Sequence, residues 1–134
     1  MEEHPRTGMS RHFGIRILAA GKERVVAELD ADERHLNAGG IVHGGALMAF
    51  ADDLGGLAAT FHLPAGTRST TIESKTNIFR AAAPGRLTAE TVPLHVGRRM
   101  IVVQTTIRRA DGKPAAVVTQ TQLVIPRKAS GVPE

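Results

Sequence analysis

The segment from His43 to about His62 constrains this chain most, because it runs without a proline and Pro64 follows where a helix would stop. At 100° per residue, Leu47, Phe50, Leu54, Leu57 and Phe61 share one stripe, as a helix lying on a sheet requires. The opposite side collects Gly45, Ala49, Asp52, Gly56 and Ala59. Small residues in a strip admit another backbone or a slender ligand, and Asp52 is the one ionisable group among them. Asp53 falls on the flank of the apolar stripe.

The rest of the chain patterns as strands. Residues 13–20 and 23–30 read as a hairpin turning at Gly21-Lys22, and residues 32–40 as a polar loop feeding the helix. Four further segments, 70–80, 87–96, 100–109 and 115–125, are rich in Thr, Val and Ile. Ala110-Asp111-Gly112-Lys113 is the clearest hairpin turn, since Asp-Gly accepts the positive φ of a tight turn. The expected class is α+β, with one long helix wrapped by an antiparallel sheet of five to six strands. Residues 1–134 make one domain, its core over about 13–125, with loose ends at 1–12 and 127–134.

Composition narrows the function. The 134 residues contain no cysteine, which excludes a disulfide scaffold, a thiolate nucleophile and a thiolate metal site, and makes the cytoplasm the expected address. No apolar run approaches the roughly 18 residues of a membrane span, and Met1-Glu2-Glu3-His4 lacks a signal-peptide layout, so no membrane partner is expected. Seventeen Lys and Arg against 13 Asp and Glu give +4, which suits a polyanion or a phosphorylated cofactor. Four Phe and no Tyr or Trp leave little for bases to stack on, so nucleic acid is not the expected partner.

Two places carry candidate chemistry. Glycines before and inside the helix start, in Asn37-Ala38-Gly39-Gly40-Ile41-Val42-His43-Gly44-Gly45, weaken the helix, so they need a reason. One is a set of bare N–H groups for an anion or a developing oxyanion; the other is a tight turn followed by close packing. Asp52, amid Ala, Leu, Met and Phe, loses hydration, which raises its basicity and suits a general base or a nucleophile; the plain alternative is an acid on a solvated face. His43 and Asp52 lie roughly 13 Å apart along a helix axis and about half a turn out of phase. A site using both ends must borrow one from elsewhere, most simply from a second copy of the chain. The histidines show no metal spacing, the serines no Gly-x-Ser-x-Gly elbow, and the glycines no P-loop, so no metal site is expected.

Asn37, the His43-Gly44-Gly45 triplet six positions on, Asp52 nine positions after the His, and strands with Ile78-Phe79-Arg80 and Gly97-Arg98-Arg99 resemble the hotdog-fold acyl-CoA thioesterases of the phenylacetic-acid-degradation type. The likeness runs over about residues 13–125. It implies that Asp52 is the catalytic carboxylate and that the N–H of Gly44 or Gly45, with Asn37, polarises the thioester carbonyl. It also implies that His43 shapes the loop and that a hydroxyl early in the next strand orients water, Thr71 falling nearest and Thr70 next. Gly97, Arg98 and Arg99 would lie by the coenzyme A nucleotide, where guanidinium groups match phosphate geometry. The expected substrate is an aryl- or medium-chain acyl-CoA, with no cofactor beyond the CoA it carries. The expected active unit is a homodimer, assembled into a homotetramer. A non-catalytic acyl-CoA-binding sensor on the same fold is the alternative. Two departures from the family pattern stand out: Ala81 or Ala82 where many members have Pro, and Asp53 directly after Asp52.

Overall fold

The computed structural model describes residues 7–127. Helix α1 (Gly8–Phe13) is followed by β1 (Arg16–Ala20), β2 (Val25–Ala31) and a 3-10 turn at Glu33–His35. Helix α2 (Gly44–Thr60) and strands β3 (Thr67–Ile78), β4 (Gly85–Val96), β5 (Met100–Arg108) and β6 (Pro114–Pro126) complete the fold. The strands form one antiparallel sheet in the order β1-β2-β4-β5-β6-β3. One long helix against a six-stranded antiparallel sheet is the hotdog arrangement that the resemblance implies.

Period-two alternation builds the core. On β2, Val25, Ala27 and Leu29 are buried, and on β5 Ile101, Val103 and Ile107 are buried, each row facing α2 while intervening residues face outward. Leu47, Phe50 and Leu54 of the helix stripe are buried against them, and Leu57 and Phe61 pack at its edge. Gly112, at φ 82°, closes the β5–β6 hairpin, where Arg109 grips Asp111.

Two expectations need correction. Residues 8–12 are not a loose end, because they belong to α1, which Gly14 closes in the left-handed conformation at φ 72°. Residues 1–6 and 128–134, also read as loose, lie outside the described residues. Ala59, assigned to the open strip of α2, is instead fully buried.

Strand β3 differs from the rest of the sheet. It has no buried residue, and it ends the strand order, with β6 its one partner among the described residues. A register shift between Thr71 and Glu73 makes Ile72 an extra residue. The bulge keeps Thr71, paired with Gln122, and Ser74, paired with Gln120, on the helix-facing side despite their odd spacing.

Candidate active site

The loop before α2 is held by its own polar groups. Asn37 Oδ1 accepts the backbone N–H groups of Gly39 (2.9 Å) and Ile41 (3.3 Å), which fixes a tight turn. The carboxamide oxygen is thereby occupied. Among the described residues no acceptor takes the Asn37 Nδ2 hydrogens. His35, fully buried, anchors the loop from below: its Nδ1 accepts the Asp32 N–H (3.0 Å), its Nε2 donates to the Phe13 carbonyl (2.9 Å), and its own carbonyl accepts the His43 N–H (2.8 Å).

At the helix start the two glycines part company. His43 is the N-cap, and its ring Nδ1 accepts the Gly45 N–H at 2.8 Å. A Cβ at Gly45 would sit 3.0 Å from that ring nitrogen, so glycine here admits the cap. With the Gly45 N–H occupied, Gly44 is left as the unpartnered donor at the helix N-terminus among the described residues. A Cβ there would come within 3.1 Å of Ile78 Cδ1, which places the helix start beside the far end of β3.

Asp52 lies two turns further along α2, opposite a different stretch of sheet. The residue reaches solvent, while its carboxyl lies over β6, with Gln120 Nε2 donating to Oδ1 at 3.5 Å. Partial loss of hydration, reinforced by the charge of Asp53, pushes its pKa above the ordinary carboxylate value. Asp53 serves the fold instead, accepting a hydrogen bond from the Ser10 hydroxyl and so tying α2 to α1. Thr71 is exposed on the helix-facing side of β3, and its hydroxyl accepts from Gln122 Nε2 at 2.8 Å. Thr70, paired with Leu123, points to the other face.

The β4–β5 turn lies at this same end of the sheet. Ile101, Gln122 and Thr71 form one row across β5, β6 and β3, and the turn begins one residue beyond it. Gly97, Arg98, Arg99, His95 and Met100 line an open cleft of about 430 Å³. Arg16, Arg24, Arg34, Arg86 and Arg109 are all engaged in ion pairs, whereas Arg98 and Arg99 are exposed and make none among the described residues. Arg11, Arg68, Arg80 and Arg108 likewise make no ion pair among the described residues.

Asp52 therefore lies over Gln120, level with Ser74 in the interior of β3; Thr71 and the β4–β5 turn with Arg98 and Arg99 lie further towards one end of the sheet, and the helix start at His43 and Gly44 lies at the other end, marked by Ile78. Thr71 and Ile78 are separated by about 20 Å of strand. Sequence reasoning missed Gln120 and Gln122, which link Asp52 to Thr71. Among the described residues no group of three or more His, Cys, Asp or Glu could hold a metal ion. No helix among them is long and apolar enough to cross a membrane.

Residues 39–116, more than half of the chain, match the thioesterase superfamily. The chain belongs to that family. A thioesterase from Haemophilus influenzae is 32% identical, with a TM-score of 0.82 over 87% of this chain and 82% of the other. The proofreading thioesterase EntH of Cronobacter sakazakii is 31% identical over 91 residues, 68% of this chain and 66% of that protein. A phenylacetic acid degradation-related protein from Ralstonia eutropha JMP134 is 27% identical, with a TM-score of 0.83 over 91% of this chain and 93% of the other. Membership places the protein among the thioester hydrolases, on the hotdog fold.

Proposed function

We propose that the protein hydrolyses an aryl- or medium-chain acyl-CoA to the free acid and CoA, in the cytoplasm, with no cofactor beyond the CoA of its substrate. The observation that carries this reading is Asp52: a carboxylate of raised basicity on a strip of small residues, joined through Gln120 and Gln122 to the hydroxyl of Thr71. The thioesterase name of the EntH relative supports thioester hydrolysis, and the name of the phenylacetic acid degradation-related relative supports an aryl acyl group.

Asp52 removes a proton from water as the oxygen attacks the thioester carbon, and charge collects on the carbonyl oxygen. Gly44 N–H and Asn37 Nδ2 stabilise that oxyanion. Collapse breaks the C–S bond, and the proton held by Asp52 passes to the leaving thiolate. Direct attack by the Asp52 carboxylate, through an acyl anhydride that water then opens, uses the same groups. Arg98 and Arg99 hold the phosphates of CoA.

The oxyanion donors come from a second copy of the chain. Edge strand β3 leaves Ile72 (56% exposed) and Ile78 (52% exposed) uncovered, the kind of apolar edge that pairs with another strand. Antiparallel pairing of β3 with its twin would bring the Thr71 end of one chain to the Ile78 end of the other. That spans the 20 Å gap by symmetry and yields two equivalent sites. Pairs of such dimers would give a homotetramer.

The test is thiol release from a panel of acyl-CoAs by the purified protein and by Asp52→Asn. Hydrolysis by wild type that Asp52→Asn abolishes supports the reading. Binding of acyl-CoA with no thiol released from any of them refutes it in favour of a non-catalytic binder.

A further inference from the structure

The two glutamines on β6 that join Asp52 to Thr71 take no chemical step in the scheme above, yet they are 0% and 1% exposed. A buried carboxamide is costly unless its donors and acceptors are met, and an apolar side chain would fill the same space without that demand. Here the demand is met in one direction. Gln122 Nε2 donates both to Thr71 Oγ1 (2.8 Å) and to Gln120 Oε1 (3.2 Å), and Gln120 Nε2 donates to Asp52 Oδ1 (3.5 Å). Both amide hydrogens of Gln122 are used, so an acceptor site of Thr71 is filled and its own O–H is left to point towards the site.

The helix makes room for this chain. A Cβ on Gly55 would lie 1.8 Å from Gln120 Oε1 and 2.6 Å from its Cδ. Glycine in mid-helix weakens the helix relative to alanine, and at this position it admits the carboxamide. The charged neighbour of Asp52 on its own element is Asp53, which Ser10 holds. On β3 the residue paired with Gln120 is Ser74, with Glu73 and Lys75 on the opposite face. Gln120 is therefore the donor that β6 offers to the Asp52 carboxylate.

We infer that Gln120 and Gln122, admitted by Gly55, are positioning residues that fix the Asp52 carboxylate and the Thr71 hydroxyl relative to one another for attack on the thioester. The inference rests on Asp52 being the reacting carboxylate. Gln122 orients Thr71 and Gln120 together; Gln120 passes that order to Asp52 and favours its ionised form.

Gln120→Met keeps the length of the side chain and removes its donors. It should lower kcat about 10- to 100-fold, as a slightly misplaced reacting group does, with KM changed by less than about twofold. The acid limb of the kcat profile should move to higher pH, because the carboxylate loses a donor that favours its charged form. Gly55→Ala, which displaces the carboxamide while favouring the helix, should act in the same direction and carries the test if Gln120→Met does not fold. In a Gln120→Ala background, Gly55→Ala should cause no further loss. Wild type and Asp52→Asn are assayed alongside. If Asp52→Asn is inactive while Gln120→Met and Gly55→Ala keep wild-type kcat and an unmoved acid limb, losing only melting temperature, the glutamines are structural and this inference alone falls. If Asp52→Asn retains full activity, the assignment of the carboxylate fails and takes this inference with it.

Discussion

Complementation between two inactive chains tests the shared site most directly. Asn37→Ala removes a carbonyl donor and Asp52→Ala removes the carboxylate; each homodimer carries the same defect in both of its sites. In one chain Gly44 sits against Ile78 and Asp52 against Gln120, roughly 12 Å apart along α2 and about a quarter of a turn out of phase. Neither can swing to meet the other, since α2 is packed along its length by Leu47, Phe50 and Leu54. In a mixed dimer, one site takes Asn37 and Asp52 from the two wild-type positions, and the other site takes both mutations. Random reassortment of equal amounts gives heterodimers in about half of the dimers, each with one intact site, so about a quarter of wild-type activity should return. The chains are unfolded together, refolded and assayed for thiol release, with heterodimers verified by tags of different charge. Verified heterodimers without recovered activity would rule out the shared site.

Four further outcomes are expected. Asp52→Asn should lower turnover by at least about 10²-fold with acyl-CoA binding retained, whereas Asp53→Asn should chiefly loosen α1; steady-state kinetics on both variants checks this, and a reversed pair of effects refutes the choice of acid. Because the folded pKa of Asp52 is raised, ionising it works against the fold: stability present below the unfolded pKa is lost as pH rises through the folded value. Asp52→Asn should therefore melt higher than wild type at neutral pH, with the difference vanishing near pH ~3 in a thermal melt series. Arg98→Ala and Arg99→Ala should raise KM for CoA esters more than for esters of a truncated thiol lacking the nucleotide, and equal losses on both would mark the arginines as structural. His35→Ala should cost about 2–4 kcal/mol in denaturant unfolding, since it leaves a cavity and strands the Asp32 N–H and the Phe13 carbonyl.

The parts of the fold with strong periodicity were legible. The α2 stripe, the β1–β2 hairpin and the Asp111-Gly112 turn all follow from local pattern, and strand boundaries fell within a few residues. Helix α1 did not, because Gly8–Phe13 buries nothing and carries no apolar stripe; it is held by the Gly14 cap and by Ser10 on Asp53, a contact between residues far apart in sequence. Asp52 could be chosen by its wheel position and its setting among small residues. The glutamines could not, since Thr119-Gln120-Thr121-Gln122 alternates two polar types, and only β3 and α2 decide which of them faces inward. The distinct fates of Gly44 and Gly45 depend on the rotamer of His43, which no spacing encodes.

The uneven lining of the sheet divides labour within this small fold. Where β2, β4 and β5 face the helix, the row is apolar apart from the hydrogen-bonded pair Thr91 and Thr105, and it holds the chain together; where β6 and β3 face it beyond Val118, the row is Gln120, Gln122, Ser74 and Thr71. Variation in the second row alters chemistry while leaving most of the buried apolar surface untouched. A mutational library confined to that row should therefore return many folded proteins of altered turnover, whereas one spread over Val25, Leu29, Ile101 and Val103 should return mostly unfolded chains. Cohesion and chemistry are thus carried by different strands of one sheet.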